Sequence, residues 1–211
     1  MILDRKTWMW LLLFLMVALA ATQQWDASKY PNPRKGGFKQ CNMKSASSVC
    51  DPDEVLSMES RYRLNNDLQR ISVRTERGGG AFCDRKGSDA ILAIVRQGSQ
   101  QLVNDLSRLW HMDDQCKKGI IFLLSSDDRH LYFAVQPNAA FNADEVQSII
   151  DTNERQLQTG NFVGALGNIF KEIGKRTNLD EGLITPHPPI SVAALTIYSS
   201  LPLLLLFTTF V

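Results

Sequence analysis

Ala90-Ile91-Leu92-Ala93-Ile94-Val95 is an unbroken apolar run that stops at Arg96-Gln97-Gly98-Ser99. A strand covered on one face alternates apolar and polar residues. A continuous run needs cover on both faces, as the inner strands of a parallel sheet have. Ile120-Ile121-Phe122-Leu123-Leu124 is a second run of the same kind. Between them Ser99 can cap a helix whose inner stripe is Leu102, Val103, Leu106, Leu109 and Trp110. Strand, helix and strand in that order form a parallel crossover unit.

Downstream, the polar turn Ser126-Asp127-Asp128-Arg129 leads into the more alternating His130-Leu131-Tyr132-Phe133-Ala134-Val135. A short turn followed by alternation predicts an antiparallel hairpin. Asn142 with Glu145 three residues on has the spacing of a capping box, and Phe141 and Val146 sit where a hydrophobic staple packs. That helix turns Val146, Ile149, Ile150 and Leu157 inward. Gly160-Asn161 starts a last helix with Phe162, Val163, Leu166, Ile169, Phe170 and Ile173 inward.

Upstream, Ser57 is an N-cap with Glu59 in the first turn, where a carboxylate meets the helix dipole. Leu64, Leu68 and Ile71 recur behind it at helical spacing. Gly78-Gly79-Gly80 then follows no strand and opens no helix in this reading, so it predicts a flexible loop. The order predicts a layered α/β domain with a mainly parallel sheet, one antiparallel edge hairpin and helices on both faces. A short strand near Cys50 has room in it.

Cys41, Cys50, Cys83 and Cys116 are an even set, compatible with two disulfides in three connectivities. Zinc is the alternative, but there is no C-x-x-C pair and no His near the first three cysteines. Cys83 precedes the first buried strand, and Cys116 ends the helix that returns to the same side. That order favours Cys83 with Cys116, leaving Cys41 for Cys50 at the opposite edge.

Both ends of the chain speak of the secretory pathway. Residues 1–21 combine Asp4-Arg5-Lys6, an apolar run from Trp8 to Ala21 and the small residues Ala18 to Ala21, the pattern of a cleaved signal peptide. Residues 22–180 are the expected extracellular domain and 181–189 a proline-rich stalk. Residues 190–211 carry no charge, and at about 1.5 Å per residue they suffice to cross a bilayer. A transmembrane helix and a glycolipid-anchor signal fit them equally, Ser191 and Ala193 upstream and Pro202 in mid-run being compatible with the latter. Either places the domain at the cell surface, tethered to the plasma membrane.

The net charge of +1 leaves no basic excess of the kind nucleic acid requires. No Asn stands in an N-x-S/T sequon, so N-glycans are not expected. The three histidines, His111, His130 and His187, are dispersed and suggest no triad or metal trio. Ser125 and Ser126 lack the G-x-S-x-G context of a nucleophile elbow.

Several local motifs resemble the TPM-domain family, in its branch of levamisole-receptor modulators. They are Tyr30-Pro31-Asn32-Pro33, then Ser48-Val49-Cys50-Asp51-Pro52-Asp53 leading into Val55-Leu56-Ser57, the turn from Leu123-Leu124-Ser125 to Arg129, and Gly160-Asn161-Phe162. The resemblance implies a non-enzymatic, membrane-tethered accessory protein whose partners are subunits of an acetylcholine-gated ion channel. Because the same family includes an acid phosphatase, surface phosphatase activity is the alternative.

For that alternative the candidate carboxylates are Asp51, Asp53, Asp127 and Asp128, which the strand order sends toward the carboxyl edge of the sheet, where open α/β sheets bind ligands. Clustered there they could hold Ca²⁺ or Mg²⁺. Capping by Asp51 and Asp53 and turn formation by Asp127 and Asp128 account for the same residues. Neither a catalytic residue nor a cofactor is assigned. The exposed loop Arg74–Gly87 is the expected contact surface for a partner.

Overall fold

The structure is a computed structural model that describes residues 25–180. The expected signal peptide, the stalk and the C-terminal apolar run lie outside the described residues. Among the described residues no helix is long and apolar enough to cross a membrane.

The sheet has four strands in the order β1 (Val49–Cys50), β2 (Asp89–Val95), β3 (Gly119–Ser125) and β4 (His130–Val135). β1, β2 and β3 are parallel, with Cys50 opposite Ala93 and Leu92 opposite Phe122. β4 returns antiparallel, with Ser125 opposite His130. The helices are α1 (Met58–Arg74), α2 (Phe82–Arg85), α3 (Gln100–Trp110), α4 (Ala143–Gln158) and α5 (Phe162–Asp180). This is the α/β class read from the two apolar runs.

Alternation along the strands divides the core in two. On one face Leu92, Ile94, Phe122 and Leu124 meet Leu64, Leu68 and Ile71 of α1, Ile149 of α4 and Phe170 of α5. Phe122 and Phe170 pack with ring centroids 5.3 Å apart. On the other face Ile91, Ala93, Val95, Ile121 and Leu123 meet Val103, Leu106 and Trp110 of α3. The remainder of that face is covered by the irregular N-terminal arm through Tyr30, Cys41 and Met43. Burial on both faces is why β2 and β3 read as unbroken apolar runs.

The helix starts follow their capping chemistry. Ser57 accepts from the N–H of Ser60 and Ser99 from that of Leu102. Asn142 and Glu145 close a reciprocal capping box, each side chain accepting from the other's backbone N–H. Cys41 is bonded to Cys50 and Cys83 to Cys116. Two disulfides fit an extracellular domain.

Two expectations need correction. Leu109 points outward and is 52% exposed. The buried stripe of α3 centres between Leu106 and Trp110, and the helical twist carries Leu109 past its edge. The glycine loop does open a helix, α2. Asp84 accepts from the N–H of Ala81 at 2.9 Å, and Cys83 within that turn is bridged to Cys116. A cap and a covalent tie stabilise a turn too short for periodicity to reveal.

Candidate functional site

The two candidate regions lie at opposite edges of the sheet. At the carboxyl edge of the parallel strands, Asp51 is fully buried directly after β1. Its Oδ1 accepts from the N–H of Val55 and its Oδ2 from that of Leu56, both at 2.9 Å, so it shapes the approach to α1. The buried Arg61 guanidinium reaches Oδ2 at 3.3 Å and also donates to Leu56 O at 2.6 Å. Burial pushes the Asp51 carboxyl above its usual value, and these donors counter that rise only in part.

Asp53 accepts from Trp25 Nε1 at 3.0 and 3.1 Å and from the N–H of Arg96 at 3.2 Å, tying the N-terminal arm to the end of β2. Asp128 accepts from Ser125 Oγ at 2.6 Å, and the same hydroxyl accepts from the N–H of Gly98 at 2.9 Å. Asp127 is exposed in the turn, its backbone N–H donating to Arg96 O at 2.9 Å. The structure therefore places all four aspartates along one edge but does not gather them. Among the described residues no group of three or more His, Cys, Asp or Glu side chains is arranged to hold a metal. Asp51, Asp53 and Asp128 make capping, arm-holding and turn-holding contacts.

At the opposite edge the chain leaves α1 at Arg74 and returns to β2 at Asp89. Buried Thr75 closes this excursion at its base. Its Oγ1 donates to Ile71 O at 2.7 Å and accepts from the N–H of Ser88 at 2.7 Å. Ser88 Oγ in turn accepts from the N–H of Ala140. Gly87 lies so close to the end of α1 that a Cβ there would stand 1.8 Å from Ser72 O, so only glycine fits. Higher up, the N–H of Arg77 donates to Arg85 O at 3.1 Å, and Gly79 and Gly80 both turn through positive φ.

The excursion is also tied sideways to the segment between α3 and β3. Cys83 is bonded to Cys116, and Lys86 Nζ donates to Asp113 Oδ1 at 2.8 Å. Asp113 also accepts from the N–H groups of Cys116 and Lys118. Burial alone would raise the Asp113 carboxyl, but Lys86 and the two amides outweigh it and hold it below the usual range. Lys118 Nζ donates to Lys86 O at 2.6 Å. Burial, and then the neighbouring Arg77 guanidinium, hold Lys118 below the usual lysine range.

Residues 76–87 thus form a stapled platform rather than a loose loop. Phe82 stands on it 54% exposed, with Glu76, Arg77, Asp84 and Arg85 also exposed around it. An exposed aromatic among charges on a tied base has the composition of a contact surface.

Residues 25–129 match the family model described as Modulator of levamisole receptor-1. Over this span the chain belongs to that family. The modulator-family match includes Tyr30–Pro33, the Asp51-Pro52-Asp53 element, the platform and the β3–β4 turn. Gly160-Asn161-Phe162 lies beyond it.

No curated protein matches the sequence. Among solved structures, the N-terminal domain of a protein from P. gingivalis is similar with a TM-score of 0.53 at 15% identity, covering 76% of this chain and 95% of that one. That likeness concerns the fold alone. A protein from the psychrophilic bacterium Bizionia argentinensis is similar at a TM-score of 0.45 and 12% identity, over 56% of this chain and 79% of that one.

The sequence marks Arg74–Gly87 as an exposed, glycine-containing loop, but not the Thr75–Ser88 clamp or the part played by Lys118. Gly87, directly before a strand entry, was the one available signal of a close backbone approach.

Proposed function

We propose that this chain is a non-enzymatic accessory protein, tethered to the outer face of the plasma membrane, that modulates an acetylcholine-gated channel of the levamisole type. The observation that carries this reading is the family match over residues 25–129, which contains the whole platform. The two disulfides support an extracellular setting. Three of the four carboxylates considered for a phosphatase, Asp51, Asp53 and Asp128, are engaged in structural contacts, whereas Phe82 and its charged surroundings face outward. On this reading residues 74–87 contact the channel.

The test is acetylcholine-evoked current from cells expressing a levamisole-type receptor, with and without this protein, at matched receptor surface levels. A reproducible change in current or desensitisation is expected. No change across several receptor subtypes would end the channel reading and leave the fold and family membership standing.

A further inference from the structure

We propose that the cavity beneath Gly78–Gly80 receives an acidic side chain from a protein partner, with Phe82 as the apolar contact beside it. This rests on the reading of the platform as a contact surface and adds the chemistry of what it contacts. The cavity has a volume of about 700 Å³, and Arg77, Gly78, Gly79, Gly80, Asp84 and Lys118 are among the residues that line it. That is room for a loop tip rather than for a lone ion.

The argument is one of unspent charge and unspent donors. Among the partly or fully buried cations, Arg34 is paired with Asp89, Arg61 with Asp51 and Lys86 with Asp113, while Arg74 donates to the carbonyl of Phe170. Among the described residues Arg77 is in no ion pair, and Lys118 Nζ donates only to the carbonyls of Lys86 and Asp84. The two cations are close enough that Arg77 depresses the lysine's affinity for its proton. Asp84 is the carboxylate in the wall, but its Oδ2 is turned to the N–H of Ala81, and it offsets one of the two cations. An arriving carboxylate would relieve the remaining excess.

The backbone contributes as well. Among the described residues no hydrogen bond uses the N–H of Gly78, Gly79 or Gly80, and a Cβ placed on Gly78 or Gly79 would meet nothing within 4 Å. The Gly78 and Gly79 amides thus have free space and no protein acceptor, whereas the Asp84 carboxylate stands beside Gly80, and successive peptide N–H groups that face one concavity favour anions. Arg77 adds a forked donor matched to carboxylate geometry. Phe82 is outside the cavity but lines an adjoining groove with Arg77, which borders both, so an apolar residue flanking the acidic one has a surface to cover.

The experiment uses the ¹⁵N-labelled full chain in detergent, titrated with acetyl-Gly-Glu-Glu-Leu-Gly-amide, with the Gln-Gln counterpart and with sodium sulfate. Saturable shifts of the Gly78–Gly80 amides are expected with the Glu peptide. Binding of the Gln peptide, and of the Glu peptide to Arg77→Gln, should be weaker by at least about tenfold, as loss of a charged hydrogen bond implies. Lys118→Gln provides the second variant if Arg77→Gln alters the wider spectrum. Equal response to the Gln peptide, indifference to both variants, or sulfate binding as tightly as the Glu peptide would each overturn the proposal. No channel is present in this assay. Failure here leaves the current measurement intact, and failure of that measurement leaves the binding intact.

Discussion

The Tyr30 hydroxyl closes on both backbone groups of Ile94, accepting from its N–H at 2.9 Å and lying 2.9 Å from its carbonyl oxygen. Cys50 O is also within 2.9 Å of the hydroxyl. β1 ends at Cys50 while β2 continues past its partner, so the edge groups of Ile94 would be left without a strand. Tyr30 stands in for the missing residue of β1. Its ring is buried between Trp25 and Trp110, which fixes the N-terminal arm to the sheet. The Tyr30-Pro31-Asn32-Pro33 element of the modulator resemblance therefore has a structural task.

Tyr30→Phe should keep the ring packing and lose only the hydroxyl. The buried N–H and one or both carbonyls would then lack a partner, at a cost of about 1–3 kcal/mol. Urea denaturation should show a lower midpoint with an unchanged slope. An unaltered midpoint would mean that water reaches Ile94 freely, contrary to the burial of Tyr30.

Asp51 and Asp113 should act on stability with opposite pH dependence. The folded Asp113 carboxyl lies below the ordinary 3.8, so its contribution is present above that pH and is lost as pH falls through the folded value. The advantage of wild type over Asp113→Asn should therefore shrink on acidification. The folded Asp51 carboxyl lies above 3.8, so its contribution is greatest below that pH and declines as pH rises through the folded value. Asp51→Asn should be destabilised at every pH by about 1–3 kcal/mol, because an amide cannot accept from both Val55 and Leu56. Its deficit should be smaller at neutral than at acid pH. Parallel pH profiles for the two variants would contradict the assignment.

The two disulfides should differ in weight. Cys83–Cys116 closes a separation of 33 residues and Cys41–Cys50 one of 9. On loop-closure entropy the first stabilises by about 3–4 kcal/mol and the second by somewhat less than about 3. The double variant Cys83→Ala/Cys116→Ala should lose that amount in denaturant titrations and expose residues 76–87 to proteolysis. Uncleaved residues 76–87 in that variant would show that Thr75, Ser88 and Lys86 hold the platform without the bridge.

How far the sequence disclosed this molecule follows the range of the forces involved. Burial on both faces leaves a mark in six consecutive residues, so β2 could be read directly. Ser57, Ser99 and Asn142 act within three residues and could be read as caps. Tyr30 meets Ile94 across 64 positions, and nothing local in Tyr-Pro-Asn-Pro encodes that contact. α2 depends on a cap and a distant cysteine, and the platform depends on Thr75 meeting Ser88 through side-chain oxygen. The acidic edge was legible as a location but not as a chemistry, because Trp25 reaches Asp53 across 28 positions and Arg61 reaches Asp51 across 10.

Phe82 and Leu109 offer a direct comparison of surface roles. Both are large apolar side chains about half exposed, at 54% and 52%. Phe82 stands on the stapled platform, whereas Leu109 lies on α3, over the other face of the sheet. Neither contributes much to the core, so Phe82→Ala and Leu109→Ala should each change unfolding free energy by no more than about 0.5 kcal/mol. If residues 74–87 contact the channel, Phe82→Ala should reduce the change in acetylcholine-evoked current, because an aromatic anchor at an interface costs more than about 1 kcal/mol to truncate. Leu109→Ala should modulate like wild type. Equal modulation by both variants at matched surface expression would remove the platform as the contact, and loss confined to Leu109→Ala would move the contact to α3.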